Sequence, residues 1–270
     1  MATETQIRGR RDAIADSLSR KRFMSMAELV EMLAVSESTV RRDLEVLEQQ
    51  GRIRRTHGGA VFGAHTSAQS PSFDTRAGWA EVEKRAIAIE VVRLLRSASK
   101  VLLDGGTTCL AVGQALCDLG PVARELYDPN LIVVTHSIPT VAMLSRRADI
   151  RVTVVGGRVF ARTGVTIGSE TEEGMARHPC SHLVMSCAGL TREGVFNVDE
   201  EMVRVERRMI EAADTVVVAV DHTKLGEANE HRICGLDEVS VIVTDAGADD
   251  ETKAWLRKLG PEVIFAEVGQ

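Results

Sequence analysis

No segment of this 270-residue chain approaches the ~20 consecutive apolar residues that a bilayer span requires, so a membrane protein is not expected. The opening residues, MATETQIRGRRDAIADSL, alternate charge and lack an apolar secretory core, which argues against export. Cysteine is sparse and scattered: Cys109, Cys117, Cys180, Cys187 and Cys234 are odd in number and nowhere stand in C-x-x-C spacing. Neither a disulfide framework nor a zinc site is supported, and reduced thiols in a cytoplasmic protein are expected. There is no internal repeat and no low-complexity tract, and the histidines form no ligand cluster, so neither metal nor cofactor is called for. An overall basic charge is missing too, the formal net charge being −6. What remains is a soluble globular chain, 44% hydrophobic and 27% charged, long enough for a small module plus one sizeable domain.

The charge is unevenly divided. Through Phe62 there are eleven Lys and Arg against nine Asp and Glu, leaving a mildly basic head on an acidic body. An acidic body repels phosphate, so any contact with nucleic acid is expected in the head. Within it, the stretch SESTVRRDLEVLEQQGRIRRTHGG, Ser36 to Gly59, carries the clearest pattern. Ser36 suits a helix N-cap, and Val40, Leu44 and Leu47 follow at i, i+4 and i+7 as one apolar stripe. Ser38, Arg41, Arg42 and Glu45 then point away from that stripe, a hydroxyl and two arginines suited to a DNA groove. Gly51 is placed to end the helix. Arg52, Arg54 and Arg55 crowd an extended segment that turns at Gly58-Gly59 and returns as Ala60-Val61-Phe62, a hairpin wing with cations for phosphates. Upstream, Ser25 and Glu28 fit a capping box, and Met26, Leu29, Val30 and Leu33 form the apolar face of a preceding helix. A first helix is predicted over residues 5–19, with Ile14 and Leu18 inward and Arg8, Arg10 and Arg11 outward.

Helix, tight turn, second helix and basic hairpin make a winged helix-turn-helix. At VSESTVRRDLEVLEQQG and RRTHGGAV the chain closely resembles the DeoR family of bacterial transcription regulators, and the resemblance runs from about residue 10 to 245. The DNA-contacting set is then Ser36, Ser38, Thr39, Arg41 and Arg42 on the helix, with Arg52, Arg54, Arg55 and His57 in the wing. The implied partner is double-stranded operator DNA, read by a homo-oligomer because such modules usually read paired half-sites.

The predicted organisation is a DNA-binding head over 1–62, a linker over 63–80 rich in Gly, Ser and Pro, and an α/β domain over 81–270. In that domain EVEKRAIAIEVVRLLRS reads as an amphipathic helix. Apolar runs near 100–103, 131–134, 152–155, 183–187, 216–220, 241–243 and 263–265 then alternate with helical patterns, which means a parallel sheet covered on both faces. Ligands bind beyond the carboxyl ends of such strands. The candidates there are Asp104, Gly105, Gly106, Thr107 and Thr108; Thr135, His136 and Ser137; Gly156 and Gly157; Gly189; and Asp221 with Lys224. Gly105 and Gly106 permit close backbone approach, Thr107 and Thr108 open a helix whose amides favour an anion, and Lys224 supplies a full charge. Taken singly, the Gly-Gly-Thr-Thr loop is as well explained by a tight turn as by binding.

The resemblance implies that this domain is similar to ribose-5-phosphate isomerase and glucosamine-6-phosphate deaminase folds and senses a phosphorylated sugar. The chain would thus be a repressor of carbohydrate genes rather than an enzyme. Two positions depart from the family's usual pattern: His136 stands in a Thr-Asn-Ser motif where asparagine is usual, and Glu206 stands where lysine is common. His136 is open to two readings, a cation at modestly acid pH or a hydrogen-bonded structural histidine. The rival reading is a sugar-phosphate isomerase or deaminase fused to a DNA-binding head, with Asp104, Asp221-His222 and Glu230-His231 as acid-base groups. A redox sensor built on Cys109 and Cys117 is a third.

Overall fold

The computed structural model describes residues 4–21, 23–50, 52–56, 59–62, 73–118 and 131–268, and the chain divides into two compact units, Met1–Pro71 and Ser72–Gln270. The first unit runs α1 (Glu4–Lys21), β1 (Phe23–Ser25), α2 (Met26–Leu33), α3 (Glu37–Gln49), β2 (Ile53–Thr56) and β3 (Gly59–Phe62). Ser25 starts α2 with a full capping box: its hydroxyl accepts from Glu28 N, and its own N–H donates to the Glu28 carboxylate at 2.8 Å. Ala34, in the left-handed region at φ 51°, closes α2 and makes the turn tight. Ser36 then caps α3 by accepting from Thr39 N. Ile14, Leu18, Leu29, Val40, Leu44, Leu47 and Ile53 are fully buried and form one core, as the helical spacing requires.

Three details differ from the sequence reading. The loop before α2 contains a strand, β1, which makes a three-stranded sheet of order β1-β3-β2. Gly59 is not in the turn but in β3, opposite Thr56 on one side and Ser25 on the other. Arg10 and Arg11 turn inward, both donating to the buried Asp43 carboxylate at 2.5 and 2.9 Å. The sequence shows no sign of that pairing because its partners lie more than thirty residues apart. Gly51 and Gly58 lie outside the described residues.

The second unit opens with α4 (Phe73–Ala77), a helix within the stretch read as linker, and α5 (Glu81–Leu94). It continues with β4 (Lys100–Leu103), α6 (Thr107–Asp118), β5 (Ile132–Thr135), α7 (Ile138–Leu144), β6 (Arg151–Val154), β7 (Arg158–Phe160), β8 (Val165–Ile167) and α8 (Ser169–Ala176). Then come β9 (Cys180–Met185), β10 (Gly189–Thr191), β11 (Gly194–Asn197), α9 (Glu200–Glu211), β12 (Ala213–Ala219), β13 (His231–Cys234), β14 (Val241–Asp245), α10 (Asp250–Leu256) and β15 (Glu262–Ala266). Seven strands form one sheet, β15-β14-β12-β9-β4-β5-β6, with every pairing parallel. Side chains alternate across it. Leu102, Leu183, Met185, Val218 and Ile242 join Met175, Val205 and Met209 of α8 and α9 on one face. Val101, Leu103, Val184, Val217 and Val243 join Ile87, Val91 and Val112 of α5 and α6 on the other.

From β4 the chain moves outward through β5 to β6, then returns to lay β9 on the opposite side of β4. The sheet's switch point therefore lies between β4 and β9, where an open α/β sheet leaves a crevice. Two small antiparallel sheets, β7-β8 and β10-β11-β13, were not anticipated from the apolar runs.

A methyl group on Gly59 would stand 2.1 Å from the Met24 carbonyl oxygen, whereas one on Gly9, on the open face of α1, would meet nothing within 4 Å. Gly59→Ala should therefore destabilise the first unit by ~1–3 kcal/mol, the usual cost of overpacking. Gly9→Ala should stabilise it by ~0.8–1 kcal/mol, the helix-propensity difference. Urea unfolding of the full chain followed by circular dichroism compares the two, and equal effects would contradict this packing.

Candidate functional site

On α3 the side chains of Ser38, Arg41, Arg42 and Glu45 are exposed, as their spacing requires once Val40, Leu44 and Leu47 are buried. Ser36, Ser38 and Thr39 gather their hydroxyls at the helix start: Ser36 Oγ lies 3.0 Å from Ser38 Oγ and 2.9 Å from Thr39 Oγ1. The arginines, equivalent in the sequence, separate here. Arg41 binds Glu37 one turn back, an exposed pair that is easily released. Arg55 is held by Glu48 at 2.7 Å and Glu45 at 3.0 Å. Arg52 reaches Asp12 of α1 at 2.8 Å, so it braces the wing's base rather than projecting from it. Among the described residues Arg42 alone of these four carries no carboxylate partner. The Arg54 side chain and His57, both expected in the interface, lie outside the described residues.

In the second unit the switch point collects the buried polar groups. Asp104 follows β4 and is 2% exposed; its carboxylate accepts from Ser186 N, which follows β9, at 3.4 Å. Its other oxygen, Oδ1, lies 3.0 Å from His136 Nε2. His136, fully buried, has Nδ1 2.8 Å from Thr166 O on β8. A carbonyl oxygen only accepts, so Nδ1 carries a hydrogen. A neutral ring would then turn a bare Nε2 toward Asp104 Oδ1. The contact requires one more proton, on the ring or on the carboxyl. His136 is thus held at both ring nitrogens, as a hydrogen-bonded structural histidine is. The β7-β8 hairpin covers it: Val165 fills the space beside Gly105, and Thr166 N donates to His136 O at 2.9 Å.

Gly106 has φ +90°, and a methyl there would lie 2.7 Å from Ser186 Oγ, so only glycine lets α6 begin against β9. Thr107 and Thr108 open α6 as expected, both buried, and Thr108 Oγ1 has no partner among the described residues. Thr135 and Ser137 take a different role from the one expected. Thr135 Oγ1 accepts from Ser137 N, and Ser137 Oγ caps α7 by accepting from Thr140 N, so both hydroxyls hold backbone. The Gly156 carbonyl accepts from Thr171 Oγ1 at 2.9 Å, while a methyl on Gly157 would meet Thr171 Oγ1 and one on Gly189 the Glu227 carbonyl, so Gly157 and Gly189 serve close packing.

Asp221 and Lys224 complete the cluster on the β12 side, Lys224 Nζ lying 3.7 Å from Asp221 Oδ2. Burial pushes the Asp221 carboxyl up, but the ammoniums of Lys224 and Lys84 and the Thr223 hydroxyl outweigh it and hold it below the ordinary carboxylate range. Lys84 was overlooked. It is 4% exposed and donates from Nζ to the Arg76 and Trp79 carbonyls at 2.7 and 2.5 Å. Burial first, then Lys224, lowers it to about 8. The signal was present, since Lys84, Ile87, Ala88 and Val91 share one buried helical stripe. Ser186 was overlooked too, although it directly follows a strand.

His222, at the end of β12, has Nδ1 2.7 Å from Asp245 Oδ2, and this hydrogen bond raises its pKa above the ordinary 6.5. Because the folded value is the higher one, the bond stabilises fully below about pH 6.5 and is lost as pH rises through the raised value. The stability of the second unit should fall over that rise, and His222→Gln should remove that part of the pH dependence; melting temperatures across the pH range check it.

A family model described as the DeoR C terminal sensor domain matches residues 80–246, and one described as the DeoR-like helix-turn-helix domain matches residues 10–66. The chain is 31% identical over 238 residues to the glycerol-3-phosphate regulon repressor of Escherichia coli (strain K12), covering 88% of this chain and 90% of that one. It is 30% identical over 259 residues to the transcriptional repressor AccR of Agrobacterium fabrum, covering 95% and 96%. It is 28% identical over 256 residues to the HTH-type transcriptional repressor GlcR of Bacillus subtilis, covering 94% and 95%. Among solved structures, ribose 5-phosphate isomerase A of Methanocaldococcus jannaschii overlaps 54% of this chain and 55% of its own at 15% identity, with a TM-score of 0.39. The fold class rests on the sheet topology and not on that overlap.

Proposed function

The chain belongs to the DeoR family of transcription regulators, and on that premise we propose that it is a repressor of carbohydrate genes released or retuned by a phosphorylated sugar. The observation that carries the sensing half is the set of polar groups at the strand ends: Asp104 after β4, meeting Ser186 after β9, and Asp221 with Lys224 after β12. Lys224 and the free amides around Thr107 and Thr108 hold the phosphate. Asp104, whose two oxygens meet His136 and Ser186 N, accepts from ligand hydroxyls on its remaining lone pairs. The same groups bind without needing to react, so the protein acts as a sensor and not as an isomerase or deaminase. It works in the cytoplasm as a homo-oligomer on double-stranded operator DNA, since a single helix-turn-helix reads only one half-site.

For the DNA-reading half, Arg42 is the base-contacting cation, being exposed and free of a carboxylate. Arg42→Ala should cost ~1–3 kcal/mol of discrimination against the wrong base, with fold and effector binding intact. Gel-shift titrations on operator and scrambled DNA measure it; unchanged operator affinity would remove Arg42 from the interface.

Lys224→Ala should weaken a phosphosugar by ~1.5–3 kcal/mol, the range for a hydrogen bond to a charged group. DNA affinity without effector should be unchanged, and the effector concentration for half-response should rise by the matching factor. An operator-binding titration against a hit from a thermal-shift screen of sugar phosphates reads this directly. The same half-response in both proteins would place the pocket elsewhere.

A further inference from the structure

Helix α9 turns one stripe inward: Met202, Val205, Glu206 and Met209 are all buried, and Glu206 is the carboxyl among them, 1% exposed. Its Oε1 accepts from Asn197 Nδ2 at 2.6 Å, while Oε2 has no partner among the described residues. Burial first, and then the Asp104 carboxylate, push the Glu206 carboxyl well above its usual range; a carboxyl this buried, with an amide and no paired cation beside it among the described residues, is read as the neutral acid. With Oε1 accepting, a proton on Oε2 is a buried donor with no acceptor among the described residues. Native proteins leave few such groups unpaired, and each calls for an explanation.

Glu206 also lies near the end of β9: Asn197, which donates to it, follows Phe196, whose carbonyl accepts from Ala188 N at 2.9 Å, two residues beyond Ser186. The buried Cys109 thiol on α6 feels Asp104, Lys224 and Glu206 together, and Cys187 feels Lys224, Glu206 and Asp221. The other charged groups acting on Glu206 are both acidic, Asp104 and Asp199. The cations of α9 point outward and are occupied: Arg204 with Glu172 and Glu200, Arg207 with Glu238, and Arg208 with Glu211. A ligand anion placed on this side would be desolvated beside acids with no cation to meet it. A hydroxyl or carbonyl oxygen would instead accept the Oε2 proton.

We propose that Glu206 is the specificity-determining residue of the sensing site: the α9 side receives an uncharged, oxygen-bearing end of the ligand and excludes a second anionic group. The effector is accordingly a singly phosphorylated sugar or polyol, not a bisphosphate or a phosphorylated sugar acid. This deepens the phosphosugar reading above and rests on it.

The test uses the full chain and matched probes: fructose 6-phosphate against fructose 1,6-bisphosphate, glucose 6-phosphate against 6-phosphogluconate, and ribose 5-phosphate against ribulose 1,5-bisphosphate. Thermal shift at graded concentrations gives affinities for wild type, Glu206→Gln and Glu206→Lys. The expected result is a monophosphate that binds at least about tenfold more tightly than its doubly anionic partner. Glu206→Gln, neutral and of the same shape, should keep that preference, and Glu206→Lys, supplying the missing cation, should erase or reverse it. Should Glu206→Lys fail to fold, the wild-type and Glu206→Gln preferences decide. A doubly anionic probe binding wild type as well as its partner, or a preference unchanged in a folded Glu206→Lys, overturns the inference and leaves the phosphosugar reading standing. No response of wild type to any probe at millimolar concentration overturns both.

Discussion

The contact between His136 and Asp104 ties together most of what lies at the sheet's switch point. The ring cannot rotate freely, because its Nδ1–H is committed to Thr166 O. It cannot lose its second contact cheaply, because both partners are buried and an unpaired charge there is costly. Through this pair the end of β5, the end of β4 and the β7-β8 hairpin are held to one another. Asp104 then carries the link across to β9 through Ser186 N.

The rest of the cluster follows a division of charge. Cations gather on the β12 side, where Lys224 and Lys84 outweigh the burial of Asp221. Acids gather on the α9 side, where burial first and then Asp104 push the Glu206 carboxyl well above its usual range. A ligand with one anionic end and one hydroxyl-rich end matches that division. The first unit shows a comparable economy: Arg52 and Arg55 are engaged by Asp12, Glu45 and Glu48, so the wing is braced, while Arg42 stays available.

Much of the fold was legible because local rules suffice for it. Ser25 with Glu28, and Ser36 before a stripe of Val40, Leu44 and Leu47, announce helix starts and buried faces through spacing alone. The seven apolar runs announce a parallel sheet because strands buried on both faces need no polar alternation. The short strands β1, β7, β8, β10, β11 and β13 escaped notice. At three or four residues each they depend on partners rather than on pattern.

The sequence by itself therefore determined the two-part organisation, the DNA-reading helix and the strand ends where a ligand can sit, since all three rest on periodicity and on residues close together in the chain. Which polar residues at those strand ends are committed to backbone or to one another was decided only in three dimensions. Thr135 and Ser137 hold backbone, Gly157 and Gly189 serve packing, and Lys84, Ser186 and Glu206 come in from distant segments. The physical reason is that a buried polar group takes its role from whatever partner the fold brings within about 3 Å, and sequence distance carries no record of that.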